Sequence, residues 1–300
     1  MSDTPVFLIT GCSTGLGREL TIAALERGYR VIATARKPET IADLAAKGAA
    51  ALGLDVTASE EELAGFAQRA IGVYGRIDVL INNAGYLQGG ALEELSLPQM
   101  RRQFDTNVFG VIAVTSAFLP HLRERKAGTI VNISSAGAFL NIPGSGIYGA
   151  SKGALDSLSG SLGNELAPFN IKVVSVTLGG YRTSVAQEGR TTRPAKPLPA
   201  YGSLHAMLEW YIGQSGSEQG DPAKAAGRLV DVIMHQGPAA GRTTLPRRFA
   251  LGDDVDQYLS KHFDSEKKAW EEWRELGTGT NVDGVTGGDF QKKVLVSGTV

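Results

Sequence analysis

From the first residues to about position 177, short runs of consecutive apolar residues alternate with longer segments whose apolar residues recur every three or four positions. VFLIT (6–10), YRVIATA (29–35), AAALGLDV (49–56), DVLINNAG (78–85), GTIVNIS (128–134) and IKVVSVT (171–177) predict β-strands. They lack the in–out alternation of a half-solvated strand and so predict strands covered on both faces. Between them, residues 16–28, 38–48, 59–75, 98–125 and 149–167 carry helical spacing, and several of these segments end in Gly. Such alternation predicts an α/β fold with a doubly wound parallel sheet and right-handed crossovers.

The rhythm breaks after residue 178. Gly179, Gly180, Gly189 and RPAKPLPAYG (193–202) predict a loop, followed by a short helix at 203–213. A further helix at 221–237 has Asp221 as N-cap and Pro222 in its first turn. Residues 243–252 predict a last strand and 253–276 a charged helix. The expected organisation is one domain over 1–276, with a substrate lid at about 183–220 and a Gly-rich tail at 277–300.

Composition narrows the function classes. Thirty Lys and Arg against thirty-one Asp and Glu give a net charge of -1, which argues against a nucleic-acid or anionic-membrane binder. Thirty-eight glycines without a collagen-like period point to many close backbone approaches. Cys12 stands alone, so no intramolecular disulfide is possible, which fits a reducing compartment. With no basic, apolar leader and no long apolar run, a soluble cytoplasmic protein is expected.

The first strand leads into Thr10-Gly11-Cys12-Ser13-Thr14-Gly15-Leu16-Gly17 and then a helix. Glycines there let the backbone approach a pyrophosphate seated on the helix N-terminus, although a plain tight turn would use them equally. The second strand ends in Ala35-Arg36-Lys37, with no carboxylate until Glu39. Two cations at that place favour the 2′-phosphate of NADP(H) over the free ribose of NAD(H); a solvated basic turn is the alternative.

Asp55-Val56, Asn82-Asn83-Ala84-Gly85, Asn107, Ser134-Ser135 and Tyr148-Gly-Ala-Ser-Lys152 follow in order. With TGCSTGLG and the GGYRT segment at 179–183, the chain resembles the classical short-chain dehydrogenase/reductase family over roughly residues 5–185. Its RVIATARKPE run and C-terminal part look most like the hydroxysteroid- and retinol-dehydrogenase-like members. The resemblance implies a Rossmann fold, an NAD(P)-dependent oxidoreductase acting on CH–OH groups, hydride transfer at the pro-S face, and a homodimer or homotetramer packed through the helices at 98–125 and 149–167.

Tyr148 is implied as the acid/base, with Lys152 four residues on along the same helix face to stabilise its phenolate. Ser135, thirteen residues before Tyr148, is implied to bind the substrate oxygen; adjacent Ser134 points to the other face of its strand. Asn107 is implied to hold a water in a proton relay through the lysine. The implied cofactor contacts are Gly11, Ser13, Thr14, Gly15, Leu16, Gly17, Arg36, Lys37, Asp55, Val56, Asn83, Ala84, Gly85, Tyr148, Lys152, Gly179 and Thr183. Asp55 and Val56 would meet the adenine, and Thr183 the carboxamide.

One departure stands out: the family's Pro-Gly after the sixth strand is here Leu178-Gly179, which removes a fixed φ. Leu204, Met207, Leu208, Trp210 and Tyr211 in the lid, Phe139, Leu140 and Ile142 near the serine, and Tyr86 and Leu87 after NNAG suit a lipophilic ketone, aldehyde or alcohol. They serve lid packing equally well. Arg190, Arg193 and Lys196 suggest a solvated flap more than an acidic-substrate site. The four histidines are scattered, so no metal is expected. The favoured function is an NADP(H)-dependent carbonyl reductase or alcohol dehydrogenase. An NAD-preferring hydroxysteroid- or retinol-type enzyme and a non-redox cofactor-binding protein are the alternatives.

Overall fold

The predicted apolar runs form parallel strands in the computed structural model, which describes residues 4–183 and 191–280. In chain order the strands are β1 (Val6–Ile9), β2 (Arg30–Ala35), β3 (Ala50–Gly53), β4 (Val79–Asn82), β5 (Leu87–Gln88), β6 (Gly128–Ser135), β7 (Ile171–Leu178), β8 (Thr191–Thr192) and β9 (Arg248–Leu251). The helices are α1 (Gly15–Glu26), α2 (Ala42–Ala46), α3 (Glu60–Tyr74), α4 (Leu97–Phe104), α5 (Gly110–Arg125), α6 (Gly146–Leu166), α7 (Gly202–Gly213), α8 (Pro222–Ile233) and α9 (Asp253–Trp273). The chain divides into two compact units, Met1–Asp256 and Gln257–Val300. The second begins within α9 and includes the exposed Trp270 and Trp273.

In the first unit the central sheet runs β3-β2-β1-β4-β6-β7-β9, parallel throughout. This is a doubly wound Rossmann arrangement. Alternate strand residues serve opposite faces. Phe7, Ile9, Val31 and Val174 join Leu20, Leu229 and Val230 in one core, while Leu8, Ile32 and Leu80 join Leu63, Phe66 and Phe118 in another. Burying each such side chain stabilises the fold by about 1.5–3 kcal/mol. Strand β1 has β2 on one side and β4 on the other, so the winding reverses there and leaves a crevice at the carboxyl ends of the strands.

Three elements differ from the sequence pattern. Between 38 and 48, Pro38 opens a single 3₁₀ turn to Ile41, and only Ala42–Ala46 is α-helical. The segment 98–125 is not one regular helix: a π turn at Asp105–Phe109 separates α4 from α5. Gly110 ends that turn pressed on the Val56 carbonyl, 2.9 Å from where a Cβ would sit. Finally, β5 and β8 form a two-residue parallel pair, Leu87 with Thr191 and Gln88 with Thr192, that the pattern does not announce. The expected tail from 281 onward and lid residues 184–190 lie outside the described residues.

Candidate active site

Strand β1 delivers the backbone into the glycine turn, and α1 starts at Gly15. Gly11 has φ +72°, and a Cβ on it would lie 2.9 Å from the Ala84 Cα. At Gly17 an added Cβ would overlap the Asn83 amide and stand 2.5 Å from the Gly11 carbonyl oxygen. The turn is braced from β4. Backbone N–H groups of Asn83 and Ala84 donate to Thr10 Oγ1, both at 3.0 Å. Asn83 Nδ2 donates to the carbonyls of Thr10 (2.9 Å) and Gly11 (3.1 Å), so this side chain holds the turn itself. Ser13 and Thr14 lie half-buried ahead of the helix, while Leu16 is buried beneath it.

No acidic residue stands in the first turn of α1, which leaves the positive end of the helix open to an anion. The turn and helix end therefore fit a dinucleotide's pyrophosphate. Cys12 is fully buried there; its thiol donates to the Ile9 carbonyl at 3.2 Å, and burial pushes its pKa up to about 11.

Arg36 and Lys37 are exposed at the end of β2. Asp55 accepts from the Thr57 backbone N–H (2.9 Å) and hydroxyl (2.7 Å). Desolvation opposes the Asp55 charge, but these bonds and the nearby Arg36 outweigh it and lower its pKa. Val56, half-buried beside it, lends its carbonyl to the Gly110 contact.

The end of β6 and the start of α6 bring Ser135, Tyr148 and Lys152 together. Ser134 is buried, and its hydroxyl donates to the Lys152 carbonyl at 3.3 Å. Ser135 faces the other way: its Oγ accepts from Gly137 N–H at 3.1 Å, and it stands with the Tyr148 ring around Gly137, 3.4 and 3.3 Å from where a Cβ would sit. Lys152 is only 5% exposed, its Nζ donates to the Ile133 carbonyl at 2.7 Å, and it lies 6.0 Å from the Tyr148 ring centre. Burial lowers the Lys152 pKa to about 8. Burial also pushes the Tyr148 phenol up to about 12, with Tyr211 adding to the rise and Ser135 offsetting part of it.

Asn107 sits in the π turn, fully buried. Its Oδ1 accepts from Tyr86 N–H (3.2 Å), and its Nδ2 donates to the Tyr86 carbonyl (3.1 Å) and Ser151 Oγ (3.2 Å). The Ser151 hydroxyl in turn donates to the Tyr148 carbonyl at 2.7 Å. Gly85 lies between this group and the lysine, its missing Cβ 3.1 Å from Asn107 Oδ1 and 3.6 Å from Lys152 Nζ. Gly179 and Thr183 border the crevice after β7; Gly179 N–H donates to the Leu251 carbonyl at 3.2 Å, and Thr183 N–H to the Tyr181 carbonyl at 2.6 Å.

Above this floor lies a roof that sequence reasoning missed. Gln103 is fully buried; its Oε1 accepts from Gln88 N–H (2.7 Å) and its Nε2 donates to the Tyr86 carbonyl (2.9 Å). Gln88 continues to the carbonyls of Thr192 (3.1 Å) and Arg193 (3.2 Å), and Gln99 reaches the Arg193 carbonyl at 2.8 Å. Buried Glu94 accepts from Leu198 N–H (2.7 Å) and pairs with His205 at 2.6 Å. Burial opposes its charge, but those bonds and one from Ala91 N–H lower its pKa. The Ser96–Gln99 capping box has a signature in the sequence; nothing there marks Gln88, Glu94 or Gln103 as buried.

The lid side chains divide. Leu208 is buried against Gly89 and Leu204 packs on Gly144, whereas Met207, Trp210 and Tyr211 remain exposed. Arg193 is paired with Glu209, and Arg190 lies outside the described residues. Among the described residues, no group of three or more His, Cys, Asp or Glu is placed to hold a metal, and no helix is long and apolar enough to cross a membrane.

Comparison with known proteins is consistent along most of the chain. Residues 5–194 match the family model for short chain dehydrogenase. The 3-ketodihydrosphingosine reductase of Bacteroides thetaiotaomicron is 41% identical over 266 residues, covering 88% of this chain and 92% of that protein. Human retinol dehydrogenase 8 is 33% identical over 251 residues, 79% of this chain and 80% of its own. A solved short-chain dehydrogenase from Streptomyces avermitilis superposes with a TM-score of 0.82 at 38% identity, covering 94% of this chain and all of that one.

Proposed function

The chain belongs to the short-chain dehydrogenase family and is an NAD(P)-dependent oxidoreductase; from that premise we propose that it reduces a lipophilic ketone or aldehyde with NADP(H), or oxidises the matching alcohol. The observation that carries this reading is the convergence of Ser135 and Tyr148 around Gly137, with the buried Lys152 Nζ 6.0 Å from the Tyr148 ring centre. A phenol with a pKa near 12 is fully protonated at neutral pH, which suits the acid role in carbonyl reduction. Ser135 Oγ steadies the carbonyl oxygen while Tyr148 gives it a proton. As the phenol loses that proton, the Lys152 charge stabilises the phenolate, and Asn107 completes the proton path behind the lysine.

The cofactor's own chemistry is hydride exchange with the carbonyl carbon. Gly11, Ser13, Thr14, Gly15, Leu16 and Gly17 receive its pyrophosphate, and Arg36 and Lys37 its 2′-phosphate. Asp55 and Val56 flank the adenine. Asn83, Ala84 and Gly85 line its path, and Lys152, Gly179 and Thr183 serve the nicotinamide half. The lipophilic substrate class draws on Met207, Trp210 and Tyr211, large apolar groups left exposed on α7, and on relatives named for sphingosine-type and retinol substrates. The lone Cys12 suits a cytoplasmic enzyme, and the exposed Phe109 in the π turn, Ile112 on α5 and Leu158 on α6 suit a homodimer or homotetramer.

The test is oxidation of NADPH and NADH by the purified protein against lipophilic ketones and aldehydes. NADPH is expected to give the higher kcat/KM by at least about tenfold, and Arg36→Ser to erase most of that advantage. Equal or better use of NADH would return the NAD-preferring alternative.

A further inference from the structure

The turn after β7 lacks the family's proline yet is held by other means. Position 178 is Leu, and the backbone at Gly179 and Gly180 packs on Asp254 in the first turn of α9. The Asp254 carboxylate occupies the space beside Gly179: a Cβ there would overlap Oδ1, with Cγ and Oδ2 both 2.6 Å away. Asp254 Oδ2 accepts from Gly180 N–H at 2.7 Å. On its other side stands Gly252, at φ +127°, where a Cβ would lie 2.7 Å from Asp254 Oδ1. Two positions thus need glycine to admit one carboxylate.

We infer that Asp254 is a positioning residue for the nicotinamide end of the cofactor site, its carboxylate fixing the Gly179–Thr183 backbone where the family uses proline. The inference rests on the functional reading above, which assigns Gly179 and Thr183 to that half of the cofactor. The rest of the segment is arranged to transmit the anchor. Gly220 N–H donates to the Gly180 carbonyl at 3.1 Å, Arg182 N–H donates to the Gly220 carbonyl at 3.0 Å, and Tyr181 pairs with Gly220 in a parallel bridge. Arg182 Nε reaches the Glu218 carbonyl at 2.6 Å. The Tyr181 phenol is pushed up to about 12 by burial and then by Asp254 and Asp253, as expected if the carboxylate faces this turn. A proline restricts the chain before folding; a carboxylate acts only in the folded state, through a charge-assisted bond that Gly180 alone cannot replace.

The test compares two ligands in calorimetric titrations of the whole protein. NADPH spans the site, whereas 2′,5′-ADP occupies only the adenine end, far from residue 180. Asp254→Ala is expected to weaken NADPH by about tenfold, the scale of a lost hydrogen bond to a charged group, and to leave 2′,5′-ADP unchanged. Adding Leu178→Pro to Asp254→Ala is expected to restore most of the NADPH affinity. Should the alanine variant not fold, Asp254→Ser carries the same comparison, with melting temperature as the control. Equal losses for both ligands, or no loss for either, would overturn the assignment. Failure of the wild-type protein to bind NADPH, NADH and 2′,5′-ADP would instead remove the functional reading on which it stands.

Discussion

The floor and the roof of the site are built by different kinds of residue. Floor groups stand on the carboxyl ends of β1, β4 and β6 and on α6, elements fixed by sheet register and apolar cores. The roof over Tyr86–Leu95 is instead tied by buried Gln88, Glu94 and Gln99 to backbone groups of residues 192–198, while buried Gln103 holds the Gln88 N–H and the Tyr86 carbonyl. Packing against a sheet fixes a reacting atom without spending polar groups. A polar latch fixes a segment more weakly, since each of its bonds has a counterpart in water. The floor is therefore expected to govern chemistry and the roof to govern substrate retention.

The largest contrast should come from Lys152. Lys152→Met is expected to lower kcat by about a hundredfold or more while leaving the fold intact. Its stability carries a separate signature. The folded-state pKa of about 8 lies below the ordinary 10.5, so between those values the unfolded chain binds more protons and wild-type stability rises with pH. Cys12, raised from 9.0 to about 11, opposes this progressively from about pH 8, so the lysine is isolated by the difference between wild type and Lys152→Met, which share Cys12. Denaturant melts across pH 8–9 should show a stability change about 1 kcal/mol more favourable in wild type than in Lys152→Met.

On the roof, Gln103→Leu strips the partners from Gln88 N–H and the Tyr86 carbonyl. It is expected to cost about 1–3 kcal/mol in thermal melts, and to raise KM several-fold with a smaller change in kcat. A fall in kcat with KM unchanged would mean that the roof tunes the chemistry and would dissolve the division. The smallest effect concerns Cys12, which is buried in the floor. With its pKa near 11, fewer than about one in ten native thiols should react with a disulfide reagent at pH 8, against complete reaction in denaturant.

The same division decides what could be read from the sequence. TGCSTGLG and YGASK are legible because their parts are chain neighbours on one turn or one helix face. The strands announce themselves as unbroken apolar runs. The roof has no such signature: Gln88 meets Thr192 across more than a hundred residues, and a glutamine destined for burial looks like any solvated one. Two-residue strands such as β5 and β8 are too short for a period to register. The π turn at Asp105–Phe109 escapes for another reason: one extra residue in a helical turn leaves the apolar spacing of 98–125 almost unchanged. Asp254 is legible as part of an acidic helix start, but not as the group that fills the space beside Gly179.

The proposed chemistry turns on Tyr148 supplying the proton. Its most direct test measures NADPH binding and carbonyl reduction for wild type and Tyr148→Phe on the best substrate found. NADPH affinity is expected to stay within about twofold, and kcat to fall by about a hundredfold to ten-thousandfold. Turnover by Tyr148→Phe at the wild-type rate would contradict that role.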